Sequence, residues 1–240
     1  MRTPISSAPA DAAARERLIE AAWEVFGTCN LEGATTRQLA ERAGVNQAAI
    51  PYYFGGKEGL YRAAVESVVE HMKSRMLPAV EEIRNAMGSR SALTPTRAVE
   101  LIKRVMTTFI HVVLETQSAA TWARIVIREQ MQPTDAFEIV YEGQVRHIHE
   151  ALATLIAVVL KRKPTDPVVL LKTHMLVGQL LIFLAGRETA RRRLGWKCYT
   201  PAEAQQVEAV LMDNIERLFG DARAKRKTNQ PHRRRTTATS

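Results

Sequence analysis

The sequence predicts an all-α protein: an N-terminal three-helix helix-turn-helix domain followed by a larger C-terminal helical domain. Three observations carry that reading. Alanine, leucine, glutamate and arginine dominate a chain of 240 residues that is 46% hydrophobic but only 6% aromatic, a composition that favours helix over sheet. Apolar residues recur at spacings of three and four, and alternating runs are rare. Capping residues before the apolar stripes, with glycine or proline after them, punctuate the chain throughout. At this length one large or two small cores are within reach.

Taken in order, residues 1–14 are expected as a disordered N-terminus and residues 15–62 as the helix-turn-helix domain. In "ARERLIEAAWEVFGT", Leu18, Ile19, Ala22, Val25 and Phe26 share one helical face. "CNLEGA" is a turn. "TTRQLAERAG" has Thr35 or Thr36 as N-cap, Leu39, Ala40 and Ala43 inward, and Gly44 as its stop. Asn46 caps a very short third helix, which "FGGK" ends. The larger helical domain covers 63–219. It grows out of a helix that starts at Lys57, turns Leu60, Ala64 and Val68 inward, and reaches Pro78 or beyond. "GSRSALTP" (88–95) is a loop, 97–116 and 119–131 are helical, and "QPTD" (132–135) is a break with Thr134 as a fresh cap. Residues 135–162 read as one long amphipathic helix. Asp166 and Pro167 open the next one, which runs to about Gly186. "RETARRRLGWKCYTP" reads as a basic loop before a last helix, 202–219, with Val207, Val210, Leu211, Ile215 and Leu218 on one side.

The net charge of +9 suggests nucleic acid, but its distribution qualifies the suggestion. Arg223, Lys225, Arg226, Lys227, Arg233, Arg234 and Arg235 face Asp221 alone in residues 220–240, so a basic disordered tail holds most of the surplus. Residues 1–62 are charge-balanced. Cys29 and Cys198 form no metal or redox motif, and "MRTPISSAPADAAARER" lacks the apolar run of a secretory leader, so a cytoplasmic location is expected. The most apolar window, "MLVGQLLIFLAG" (175–186), is too short for a membrane span and contains Gln179; no membrane partner is expected. "HIHE" (147–150) resembles a metal box, but residues two apart on a helix point about 200° apart, so His147 and His149 cannot share an ion. No metal and no cofactor are expected. Without a phosphate loop, a nucleophile elbow or paired carboxylates, an enzyme has no residues to stand on.

Residues 35–43 and 46–52 make a helix-turn-helix, whose second helix enters the major groove. "NQAA" gives that helix a slim leading face: Gln47 can pair with adenine N6 and N7, and an alanine methyl can touch a thymine methyl. Pro51 is expected to cost a hydrogen bond to the Gln47 carbonyl and to distort the last turn. That distortion would swing Tyr52 and Tyr53 towards DNA, unless one of them is core. Lys57, Thr36 and Arg37 stand at helix N-termini, which suit phosphate.

"GATTRQLAERAGVNQAAIPYYFGGKEGLY" resembles the DNA-binding domain of the tetracycline-repressor (TetR) family over residues 15–65. The resemblance implies DNA contacts at Thr36, Arg37, Gln47, Ala48, Ala49, Tyr52, Tyr53 and Lys57. Pro51 departs from the tyrosine more usual in that family. "REQMQPTDAFEIVYEG" (128–143), with "GQLLIF" and "LGW" further on, is similar to the CecR-like C-terminal branch, which includes regulators of drug-export genes. The function implied is a ligand-responsive repressor of efflux or drug-response genes, bound to a near-palindromic double-stranded operator and answering to an unknown small-molecule effector. The family also implies a homodimer that pairs helices 166–186 and 202–219 across a two-fold axis. Met106, Phe109, Trp122 and Tyr141 are candidate walls of the effector pocket, with Arg128 or Glu129 as polar anchors. The competing reading is a helical small-molecule-binding or scaffolding protein without sequence-specific DNA binding.

Overall fold

A computed structural model of the chain describes residues 8–88, 93–115 and 119–224. Every regular element among them is helical. Of the expected tail, 220–240, residues 225–240 lie outside the described residues, as do residues 1–7, 89–92 and 116–118.

The head comprises α1 (Ala8–Thr28), α2 (Thr36–Ala43) and α3 (Ala49–Phe54). Helix α1 begins well before residue 15, which corrects the expected boundary. Leu18, Ala22 and Phe26 form its buried stripe, and Leu39, Ile50 and Leu60 complete the small core. A reciprocal capping box starts α2. The Thr35 hydroxyl accepts from the Gln38 N–H, and the Gln38 side chain accepts from the Thr35 N–H. Gly44 ends α2 in the left-handed region at φ 62°, where a side chain would be strained.

Helix α4 (Lys57–Gly88) belongs to both domains. Its first turns bury Leu60, Tyr61 and Ala64 in the head; Met72, Met76 and Ile83 pack into the body. Pro78 lies within it without ending it. Pro78 and Ser74 are both exposed, so water can serve the carbonyl that loses its donor.

The body continues with α5 (Pro95–Ile110), extended by a π-helical turn His111–Glu115, and α6 (Ala119–Met131). Then come α7 (Phe137–Val140), a second π-helical turn Tyr141–Val145 and α8 (Arg146–Leu160). The single helix expected over 135–162 is thus interrupted. A Cβ on Gly143 would lie 2.4 Å from Val69 Cγ1, so the π turn presents its bare residue where α4 crosses. Helix α5 sits centrally, against α4, α8 and the last helix.

Asp166 caps α9 (Pro167–Ala185) by accepting from the Val168 N–H at 2.9 Å. Helix α10 (Arg187–Leu194) corrects the expected basic loop. Glu188 accepts from Arg191 at 2.9 Å and from Arg192 at 2.8 Å, one turn on, and Gly195 closes the helix. Helix α11 (Pro201–Ala224) is the last described element, and it runs past the expected helix end at 219 into the stretch expected as tail. Helix α9 extends well beyond the apolar window 175–186: its 19 residues, at mean hydropathy 1.9, are by length and composition alone sufficient to cross a membrane. Its Val169, Leu176 and Leu180 face the core, while Leu171, Met175 and Ile182 are exposed.

Candidate nucleic-acid interface and effector cavity

The short helix α3 starts with a tight turn. The Asn46 side chain accepts from the Ala48 N–H at 2.8 Å, and the Asn46 carbonyl accepts from the Ala49 N–H at 2.9 Å. The Gln47 carbonyl accepts from the Ile50 N–H at 3.2 Å. Pro51 is therefore only the third residue of α3, within the first turn, where a backbone N–H has no intrahelical partner. The carbonyl expected to be orphaned has its donor, and the last turn is undistorted: Gly55 N–H returns to Pro51 O at 3.0 Å. The expectation of a broken end fails because the helix begins later than its sequence signals suggest. Ile50 alone on α3 is fully buried, and it anchors the helix.

Gln47, Ala48 and Tyr52 are exposed on the head, and Thr36 is half-buried beside Gln47. Gln47 Nε2 donates to Thr36 Oγ1 at 2.6 Å, which leaves the amide oxygen and one N–H of Gln47 for a base edge. Tyr52 is 76% exposed. Arg37 is exposed and pairs with Glu41 at 2.7 Å, a solvent-screened contact that leaves it available to a phosphate. The remaining candidates turn partly inward. Ala49 is half-buried. The Tyr53 hydroxyl donates to Asp11 Oδ1 at 2.9 Å, an interaction that raises its pKa. The Lys57 ammonium donates to the Ala34 carbonyl at 3.0 Å. Tyr53 thus fastens α3 to α1, and Lys57 has two N–H donors left for a phosphate.

A cavity of about 750 Å³ opens in the body. Phe109 of α5 and Tyr141 of the second π turn line it; Phe137 stacks on Tyr141 at 18° and 5.9 Å. Sequence reading missed His149 and His174, whose rings face each other across the wall at 5.7 Å. Burial lowers the pKa of His149 and the neighbouring His174 lowers it further, so its imidazole is a neutral hydrogen-bonding group at neutral pH. The signal was available: His149 shares a helical stripe with buried Leu152 and Ala153, whereas His147 faces out.

The other four pocket candidates lie elsewhere, which corrects their assignment. Met106 and Trp122 are core residues, at 0% and 1% exposure. Arg128 reaches back to the end of α1, donating to the Phe26 carbonyl at 2.6 Å and the Cys29 carbonyl at 2.9 Å, where a cation suits the helix C-terminus. Glu129 is fully buried and accepts from the Tyr61 hydroxyl and from Thr134 N–H and Oγ–H. Neighbouring residues on α6 point different ways, so Arg128 and Glu129 serve the junction between head and body. Val126 and Gln130 are the α6 residues on the cavity.

The family of bacterial regulatory proteins named for tetR matches residues 18–64. The C-terminal domain of the HTH-type transcriptional dual regulator CecR matches residues 98–221. The chain is 32% identical to that regulator from Shigella flexneri over 208 residues, covering 86% of this chain and 91% of the relative. Among solved structures it is similar to SmeT, the repressor of the Stenotrophomonas maltophilia multidrug efflux pump SmeDEF. That match has a TM-score of 0.56 at 18% identity, over 85% of this chain and 89% of the other. It is also similar to FadR from Bacillus subtilis in complex with stearoyl-CoA, with a TM-score of 0.55 at 18% identity over 82% and 97%. These structural likenesses show the fold.

Proposed function

This chain belongs to the TetR family of DNA-binding transcriptional regulators and carries a CecR-type C-terminal domain. We propose that it acts in the cytoplasm as a homodimeric repressor of efflux or drug-response genes, released from its operator by a small molecule. Gln47 reads a base edge and Ala48 makes the slim contact beside it. Tyr52, Arg37 and the free N–H groups of Lys57 meet the backbone, while Thr36 orients Gln47. Ala49 and Tyr53 support the tip from behind.

The exposed apolar side chains of α9 and α11, Leu171, Met175, Ile182, Val210 and Leu218 among them, support pairing of these helices with a second copy. Such a pair holds two heads at the half-site spacing of about 34–36 Å, or a multiple, that a near-palindromic operator requires. The efflux target extends to this chain the part that SmeT plays as repressor of a multidrug efflux pump.

The route from cavity to head supports ligand control. Tyr141 and Gln144 line the cavity from the π turn whose Gly143 abuts Val69 of α4, and α4 carries Tyr61, which holds Glu129 at the junction. A ligand that favours a different placement of this turn shifts the heads away from operator spacing.

The observation that carries the reading is the exposed Gln47–Thr36 pair on a firmly anchored α3. Selection of bound duplexes from a random pool, repeated with candidate drugs, tests it. A near-palindromic motif is expected, with binding reduced by an active compound. Salt-sensitive binding without any sequence preference would refute it.

A further inference from the structure

A second concave site lies between α6 and the α9–α10 corner, apart from the aromatic cavity. It is a groove of about 580 Å³. Its floor is apolar, with Ile127 and Leu184, and four arginines surround it: Arg124, Arg128, Arg187 and Arg191. Glu188 is the carboxylate in its lining, and it is already shared between Arg191 and Arg192. Arg128 is engaged with the α1 carbonyls. The other cations are less well served. Arg187 Nη1 and Arg191 Nε are buried and find no acceptor among the described residues. The Arg187 guanidinium lies on the Tyr199 ring at 4.1 Å, which fixes its plane but satisfies none of its N–H groups. Burial depresses the pKa of Arg187, and Arg191 and Arg124 add to the depression, the signature of cations crowded without enough counter-charge. Buried donors left unpaired are costly, and a guanidinium fork matches a planar or tetrahedral oxyanion.

We propose that this groove binds an amphipathic organic anion, its carboxylate or phosphate head held by Arg187 and Arg191 and its apolar part laid along Ile127 and Leu184. Arg124, exposed at the rim, attracts the head without enclosing it. The site is independent of the aromatic cavity and of the ligand assigned to it.

Calorimetric titration of the full chain with decanoate, decyl phosphate and decanol tests the proposal. At least one of the two anions is expected to bind, and the preferred one identifies the head group; decanol is expected to bind far more weakly. Arg187→Gln and Arg191→Gln should each weaken the anion by about tenfold. Arg124→Gln, whose side chain supports no packing, should weaken it by about threefold and keeps the test open if the buried arginine variants misfold. Ala153→Phe, which fills the aromatic cavity, should leave the affinity unchanged. Equal binding of decanol, or affinity lost through Ala153→Phe and kept in the arginine variants, would overturn the proposal. It would also fall if neither anion bound and the arginine variants instead flattened the salt dependence of duplex binding, because the groove would then serve DNA phosphate.

Discussion

The reading head and the aromatic cavity are built by opposite means. In the head, the contacts that shape α2 and the entry to α3 join residues near in sequence, Thr35 with Gln38, Asn46 with Ala48, Thr36 with Gln47, and Tyr53 adds a tie to Asp11 of α1. Its tip is thin, and a single buried side chain, Ile50, seats α3. The cavity wall comes from α4, α5, α6, α8 and α9 together, and its His149–His174 pair meets across two helices. The head therefore has little redundancy in stability and little freedom in shape. The wall has many partners and open space, so it can lose or gain a side chain and still stand. On the proposed function, a surface that matches a fixed duplex and a chamber that admits a ligand call for that division.

The largest expected effect breaks the comparison if it fails. Ile50→Ala should cost about 2–5 kcal/mol, read by denaturant unfolding, and should speed amide exchange throughout α3. Tyr141→Ala, on the cavity wall and 38% exposed, should change stability by only about 0.5 kcal/mol. Equal losses at the two sites would show that the wall is as unforgiving as the head.

The junction comes next. Tyr61→Phe removes a donor from the buried Glu129 carboxylate and should cost about 1.5–3 kcal/mol. If head and body melt separately in this variant, the junction is what makes them one cooperative unit. An unchanged melting profile would place the coupling elsewhere.

Gln47→Ala should weaken operator binding by about 1–3 kcal/mol and leave the melting temperature where it was, since Gln47 is exposed. Thr36→Val, which only frees the Gln47 amide, should lose less, about 0.5–1 kcal/mol. A larger loss from Thr36→Val than from Gln47→Ala would make the threonine the reader and the glutamine its support.

The smallest effect concerns acid. Burial lowers the pKa of His149 in the cavity wall and of His71 beneath the junction, with His174 and Arg75 respectively adding to it. A depressed imidazole pKa means that its contribution is complete above the ordinary value near 6.5 and fades as pH falls towards the folded-state value. Thermal stability should therefore decline as pH falls below about 6.5. His149→Leu should shrink that decline; a decline identical in the variant would assign it to His71 or to other groups.

Legibility follows the same division. The capping box, the Gly44 turn, the slim "NQAA" face and the cap at Asp166 are all readable, because each is set by residues within a few positions of one another. The start of α3 lies a few residues later than its sequence signals suggest, which changes the effect of Pro51, because a tight entry turn and a helical one use the same residue types. Helix α10 reads as a loop because its arginines obscure the Glu188 pairing that holds it together. In the body, the helices are visible but their rotation is not. Arg128 and Glu129 have the chemistry of ligand anchors, yet α6 turns them to the end of α1 and to Tyr61.

By itself, then, the sequence determined the helical class, the two-domain order and the caps and turns of the head, since caps, periodicity and turn residues act through the backbone of their own neighbourhood. Tertiary structure alone decided which side chains meet across helices: the histidine pair, the Gly143–Val69 crossing, the buried Glu129 and the arginine-lined groove. Those meetings depend on how each helix is rotated and where it crosses its neighbours. Close packing of the whole core sets both, and no local stretch of chain encodes either.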